Sequence, residues 1–322
     1  MDQPIRPRRL RSNTAMRRLV SEVAIEPAHL VLPIFVAESQ APIASMPGVV
    51  KHELAGAAQI ARRAADAGVG GIMIFGVPDE ADKDEQGSAG WASDGITQRA
   101  ISSVIDAVGE QTVVMVDTCL DEFTSHGHCG VLDDQGRVLN DASVELYVNM
   151  ALAQAQAGAH VVSPSGMMDG QVAAIRAGLD HAGYQDVAIM AYGAKYASAF
   201  YGPFREAVSS TLRGDRKTYQ QDPANRREGL REALLDVDEG ADMVMVKPAG
   251  YYLDVLADVT AVSPIPVAAY QVSGEYAMVE AAAANGWLDR SRAVTESVTA
   301  IFRAGADVVL TYWALEIAEA LA

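Results

Sequence analysis

Short, nearly uninterrupted apolar runs recur along the chain, each followed by a longer alanine-rich segment. The runs fall at residues 30–35, 71–75, 113–117, 160–163, 187–192, 243–247, 266–270 and 308–312. A run that is apolar at every position, rather than at alternate ones, predicts a strand buried on both faces, as in a parallel sheet. The intervening segments are long enough for helices. Four of them close on a related motif just ahead of a strand: Ala67-Gly68-Val69, Ala157-Gly158-Ala159, Gly240-Ala241-Asp242 and Gly305-Ala306-Asp307. Glycine there fits a left-handed helix C-cap. Strand and helix in alternation imply parallel βαβ units, and eight of them imply an α/β fold, a (β/α)8 TIM barrel. The alternative is a doubly wound open sheet. No Gly-x-Gly-x-x-Gly follows the first run, which weighs against it.

A barrel places its chemistry at the C-terminal ends of the strands. Those positions hold Asp117, Ser163, Tyr192 with Lys195 just beyond, Lys247, Gln271 with Ser273 beyond, and Tyr312. The run Met243-Val244-Met245-Val246-Lys247-Pro248 is the most informative. Apolar surroundings push a lysine toward its neutral amine, a nucleophile that forms Schiff bases with ketones. The plain alternative is a lysine that reaches solvent from a strand end. Only five lysines occur in the chain, and Lys195 and Lys247 both close predicted strands. Two ammonium groups near one pocket would lower each other's pKa, which favours the Schiff-base reading.

The loop after the third strand carries Asp117, Cys119, Asp121, Glu122, His126, His128 and Cys129. Cys119, Asp121 and Cys129 could supply three ligands and leave a fourth position open, the arrangement of a catalytic zinc. The mixture of sulfur and oxygen also admits a harder ion, and a reactive loop without metal is the alternative. Residues 202–220 form a long polar connection beyond Lys195, readable as a lid or as a solvated surface loop. Arg205 and Arg216 in it are suited to grip a carboxylate.

Composition narrows the partners. The 322 residues are 50% hydrophobic with a net charge of −17, which disfavours nucleic acid and anionic membrane as partners. No apolar run reaches the ~20 residues that span a bilayer, and the basic N-terminus lacks the apolar stretch of a secretory signal. A cytoplasmic protein is the expectation. The first residues carry Arg6, Arg8, Arg9, Arg11, Arg17 and Arg18. They form either an arm that packs on another subunit or a loose tail.

Several stretches resemble the porphobilinogen synthase (5-aminolevulinic acid dehydratase) family nearly end to end. They include Arg17-Arg18-Leu19, Ser45-Met46-Pro47-Gly48-Val49, the cysteine loop, Pro164-Ser165-Gly166-Met167-Met168-Asp169-Gly170, residues 195–205, residues 243–248 and Gln271-Val272-Ser273-Gly274-Glu275-Tyr276. The resemblance implies an N-terminal arm over residues 1–28 that packs on a neighbouring subunit. A (β/α)8 catalytic barrel over 29–322 and a homo-oligomer, typically an octamer, are also implied. The family condenses two 5-aminolevulinate molecules to porphobilinogen with loss of two waters, in tetrapyrrole (heme) biosynthesis.

By resemblance Lys247 is the Schiff-base lysine and Lys195 the second active-site lysine. Arg205, Arg216 and Gln220 would hold one substrate carboxylate, and Ser273 and Tyr312 the other. Tyr201 and Phe204 would wall the pocket, with Asp117 and Ser165 among the substrate-binding groups. Cys119, Asp121 and Cys129 would form a hybrid of the family's three-cysteine zinc loop and its aspartate-bearing magnesium loop, the two thiolates favouring Zn2+. Glu232 matches an allosteric Mg2+ ligand; an ordinary surface glutamate is the alternative. Gly166 stands where many relatives have aspartate. The competing readings are another Schiff-base keto-acid aldolase and a catalytically silent regulatory homologue.

Overall fold

The computed structural model describes residues 5–322; residues 1–4, the start of the expected arm, lie outside the described residues. Ten strands form one sheet. They are β1 (Leu30–Val36), β2 (Ala41–Pro42), β3 (Val50–His52), β4 (Gly71–Gly76), β5 (Val113–Thr118), β6 (Val161–Pro164), β7 (Ala188–Lys195), β8 (Met243–Lys247), β9 (Val267–Tyr270) and β10 (Val308–Leu310). Eight of them run in parallel order β1-β4-β5-β6-β7-β8-β9-β10. The ring closes where Leu30 and Val31 of β1 pair with Val309 and Leu310 of β10. The eight apolar runs are therefore the eight staves of a (β/α)8 barrel. The remaining two strands form a small antiparallel flap, with β3 extending the end of β1.

Burial follows the pattern that predicted it. Every residue of β1 and β4 is buried. The helices pack their small residues on this wall: helix Leu54–Asp66 buries Ala57, Ala61 and Ala64, one stripe at spacings of four and three. The recurrent glycines Gly68, Gly158, Gly240 and Gly305 have φ of 81°, 105°, 101° and 110°. A side chain is strained in that region, so glycine is what lets each helix turn back into the next strand.

One boundary differs from the sequence reading in a way that matters. The fifth barrel strand does not end at 192. A bulge between Ala191 and Ala194 lets β7 continue to Lys195, which pairs in register with Lys247 of β8. Gly193 makes the bulge possible, because a Cβ there would lie 2.8 Å from the Cα of Ala233.

The N-terminal segment leaves the barrel as a 3-10 turn, Pro7–Arg11, and a short helix, Thr14–Leu19, capped by the Asn13 side chain on the Met16 amide at 2.8 Å. Neither element buries a residue, and Ile5 and Leu19 are 82% and 79% exposed. The segment joins the barrel at His29, whose Nδ1 lies 2.9 Å from the Asp307 carbonyl oxygen.

Candidate active site

The C-terminal mouth of the barrel gathers most of the charged residues that the sequence singled out. Lys195 and Lys247 end neighbouring strands, and their side chains enter the same cavity, each about 95% buried. The floor holds Asp117, Asp121, Glu122 and Ser165; Tyr201, Phe204, Arg205 and Arg216 cover it. The enclosed free space is about 20 Å³, room for about one water. Anything larger than a water enters only if the cover moves.

The two lysines have different surroundings. Lys247 Nζ lies over aromatic rings, 4.4 Å from the centroid of Tyr270, 5.0 Å from Tyr192, 5.2 Å from Phe204 and 5.4 Å from Tyr201. Burial first, then the neighbouring Lys195 charge, pushes its pKa down to about 7. Lys195 donates to the carbonyl oxygen of Ser165. Burial opposes its charge too, but Cys119, Cys129, Asp121 and Asp117 outweigh that and hold its pKa above the usual lysine value. The expected mutual lowering therefore falls on one partner: Lys195 sits on the side of the acidic loop and Lys247 on the side of the aromatic rings.

Asp117 accepts from the Ser165 hydroxyl at 3.3 Å, and its other oxygen has no hydrogen-bond partner among the described residues. Burial pushes its carboxyl up to about 6 against the pull of both lysines. Glu122 is more extreme. It is buried with both oxygens unpartnered among the described residues, and burial, then Asp121 and Asp117, hold its pKa far above the usual value. Spacing alone does not separate Glu122 from the other carboxylates of its loop; its burial does.

Cys119, Asp121 and Cys129 are buried, with one donor atom from each lying within 4.8 Å of the others. Asp121 divides its oxygens: Oδ2 accepts from Arg216 Nη2 at 2.6 Å, while Oδ1 lies 3.6 Å from Cys129 Sγ. Burial opposes the Asp121 charge, but Arg216 and Lys195 hold the carboxyl well below the usual range. Two sulfurs and one ionised oxygen, with the carboxylate fixed by an arginine, fit zinc. Asp117, Cys119 and Glu122 form a second group of comparable spacing that shares Cys119. The histidines stay out of both groups. His126 Nε2 faces the Glu85 carbonyl oxygen at 3.1 Å, and His128 Nδ1 faces the Tyr219 hydroxyl at 3.1 Å.

Other expected groups have their own partners. Arg216 is 7% exposed and engaged with Asp121 and with the Gly127 carbonyl oxygen at 2.8 Å, so it holds the cysteine loop. Ser273 Oγ accepts from the Phe204 amide at 2.9 Å and so ties the end of β9 to the cover. Tyr312 shares a hydrogen bond of 3.0 Å with Tyr270, the ring closest to Lys247. Gln220 is buried, with Nε2 unpartnered among the described residues. Gln271 turns outward to Ser297. Glu232 lies on the outer helix Arg226–Asp238, half-buried, its pKa raised by burial and by Asp169, Glu228 and Glu239. Among the described residues it belongs to neither donor group.

A family model for delta-aminolevulinic acid dehydratase matches residues 4–320. The chain is 66% identical to the delta-aminolevulinic acid dehydratase of Mycobacterium tuberculosis over 316 residues, covering 97% of this chain and 96% of that protein. It is 48% identical to the Escherichia coli protein of the same name, over 98% and 97% of the two chains. The crystal structure of the Toxoplasma gondii delta-aminolevulinic acid dehydratase, in complex with the reaction product porphobilinogen, superposes with a TM-score of 0.95. That match has 44% identity and covers 98% of this chain and 92% of that one.

Proposed function

The chain belongs to the delta-aminolevulinic acid dehydratase family, and from that premise we propose how its own residues serve the reaction. The activity is that of a hydro-lyase, porphobilinogen synthase: two 5-aminolevulinate molecules condense to porphobilinogen with loss of two waters. That sets aside an aldolase for another keto acid and a silent homologue.

The observation that carries the assignment is the contrast between the lysines. Lys247, near pH 7, presents a neutral amine in an aromatic pocket. Its lone pair adds to the ketone carbon of one substrate, and loss of water leaves an imine that acidifies the adjacent carbon. Lys195 remains an ammonium. It depresses the pKa of Lys247 and offers a proton to the departing oxygen. Asp117 and Glu122 line the same cavity. With Asp117 pushed up to about 6 and Glu122 held well above the usual carboxyl range, they suit proton transfer at the reacting carbons and nitrogens. Arg205 and Gln220 on the cover take one substrate carboxylate. Ser273 and Tyr312 take the other, Ser273 giving up its contact with the Phe204 amide as the cover adjusts. Tyr201 and Phe204 close over the imine and keep bulk water from hydrolysing it.

Cys119, Asp121 and Cys129 would hold zinc, which when bound supplies Lewis-acid polarisation of a substrate oxygen. Magnesium at Glu232 would sit near the carboxylates of Asp169, Glu228 and Glu239 and keep part of its water shell. The arm over residues 1–28 covers a neighbouring subunit of a homo-oligomer, which would bury the exposed Ile5 and Leu19. Among the described residues no helix is long and apolar enough to cross a membrane, in keeping with a cytoplasmic enzyme.

The test is porphobilinogen formation by Lys247→Ala, with bound zinc measured alongside. Loss of turnover by several orders of magnitude with zinc retained is the expected result. Turnover within tenfold of the parent would remove Lys247 from the chemistry.

A further inference from the structure

One face of the helix Asn140–Gln156 is clamped to the cysteine loop by polar side chains buried to 0% exposure. Ser143 Oγ accepts from the Val131 amide at 3.0 Å. Gln154 Nε2 donates to the Asp117 carbonyl oxygen at 3.0 Å, and its Oε1 accepts from the Thr118 hydroxyl at 2.7 Å. Between them Tyr147 reaches two of the sulfur-bearing residues at once. Its hydroxyl donates to the Cys129 carbonyl oxygen at 2.7 Å and lies 3.5 Å from Cys119 Sγ.

The phenol is there because Gly166 has no side chain. A Cβ at 166 would stand 2.0 Å from the Tyr147 hydroxyl oxygen and 2.3 Å from the ring carbon bearing it. Gly166 does not have a positive φ, so its backbone would accept alanine. What excludes a side chain is first Tyr147 and then Gln171 Oε1, 2.9 Å from that Cβ.

We propose that Tyr147, given room by Gly166, is a positioning residue for the metal loop: its hydroxyl holds the Cys129 backbone and lies against Cys119 Sγ, fixing the separation of the two sulfur ligands. The inference rests on the reading of Cys119, Asp121 and Cys129 as metal ligands. The direction of the effect follows from position. The one phenol proton goes to the Cys129 carbonyl oxygen and pins the loop backbone there, while the phenol oxygen stands against Cys119 Sγ. The hydroxyl therefore fixes where the two sulfur-bearing residues stand relative to each other. Groups that orient metal ligands in this way are each worth about 10- to 100-fold in metal affinity.

The experiment measures zinc dissociation constants by chelator competition, and the thiolate-to-metal charge-transfer band of the cobalt-substituted protein. The parent, Tyr147→Phe, Gly166→Ala and the double variant are compared. Tyr147→Phe keeps the ring and its packing. It is expected to weaken zinc by about tenfold or more and to alter the cobalt band. Gly166→Ala, which touches no ligand, is expected to reproduce both effects by displacing the phenol. The double variant should lose less than the product of the two, since both act through one hydroxyl. Native affinity and band in Tyr147→Phe would overturn the proposal, even if its thermal stability fell. So would multiplicative losses in the double variant. A parent protein whose cobalt spectrum lacks the thiolate band would overturn the metal reading itself, a result distinct from the other two.

Discussion

Replacing Lys247 with methionine should inactivate the enzyme and make it more stable. The side chain is about 95% buried, and its pKa falls from 10.5 to about 7 on folding. Between those values the unfolded chain binds a proton that the folded chain does not. The stability attributable to this residue therefore rises with pH from about 7 toward 10.5, and the full cost is present below pH 7. A depression of this size corresponds to on the order of 4–5 kcal/mol at neutral pH. Methionine has similar length, no charge, and a sulfur that packs well against the rings of Tyr270 and Tyr192. For a 322-residue chain, each kcal/mol moves the thermal midpoint by roughly 1.5 °C. Lys247→Met should therefore melt roughly 6–7 °C higher at pH 7. Calorimetry of both proteins from pH 6.5 to 9.5, after metal removal, would follow the difference, which should shrink as pH rises. A variant no more stable than the parent, or a gap that does not narrow with pH, would refute the reasoning that the barrel holds this lysine at a cost to folding for the sake of its amine.

Other outcomes follow from the same site. Schiff-base formation should rise with pH and be half-maximal near pH 7, and Lys195→Met should move that midpoint upward by removing the ammonium that depresses Lys247. Stopped-flow trapping across pH measures both; a midpoint that stays in place would separate the two lysines electrostatically. In metal-free protein, Arg216→Met leaves Asp121 buried without its partner. It should cost about 3–5 kcal/mol, or roughly 4–7 °C, most of it recovered in Asp121→Asn/Arg216→Met. Equal melting of the single and double variants would refute that coupling. Chelation should abolish porphobilinogen formation and zinc should restore it; restoration by magnesium alone would take the thiolates out of the metal site.

The barrel was legible because its signal is repeated. Eight apolar runs with glycine-closed helices ahead of four of them leave few alternatives, and the strand-end rule then points to Asp117, Lys195 and Lys247. What the sequence could not disclose is direction. Residue 195 looks as if it lies beyond its strand, and only the bulge at Gly193 brings it level with Lys247. Arg216 has the chemistry to hold any carboxylate, and the fold gives it Asp121. His126 and His128 have the composition of metal ligands and face a carbonyl and a phenol instead. Nothing in the sequence singles out Glu122 within its loop or Tyr147 within its helix, because burial and partner choice are tertiary facts. The helix carrying Tyr147 also turns Ser143 and Gln154 inward, which erases the apolar stripe that would have marked its buried face.

The central claim is that Lys247 forms the imine with 5-aminolevulinate while Lys195 stays charged. Borohydride reduction of the enzyme with substrate at pH 7, followed by peptide mapping, tests this directly. The account predicts a reduced adduct on Lys247 as the first and dominant product, lost in Lys247→Ala and retained in Lys195→Met. An adduct found first on Lys195, or trapping that survives Lys247→Ala, would contradict it.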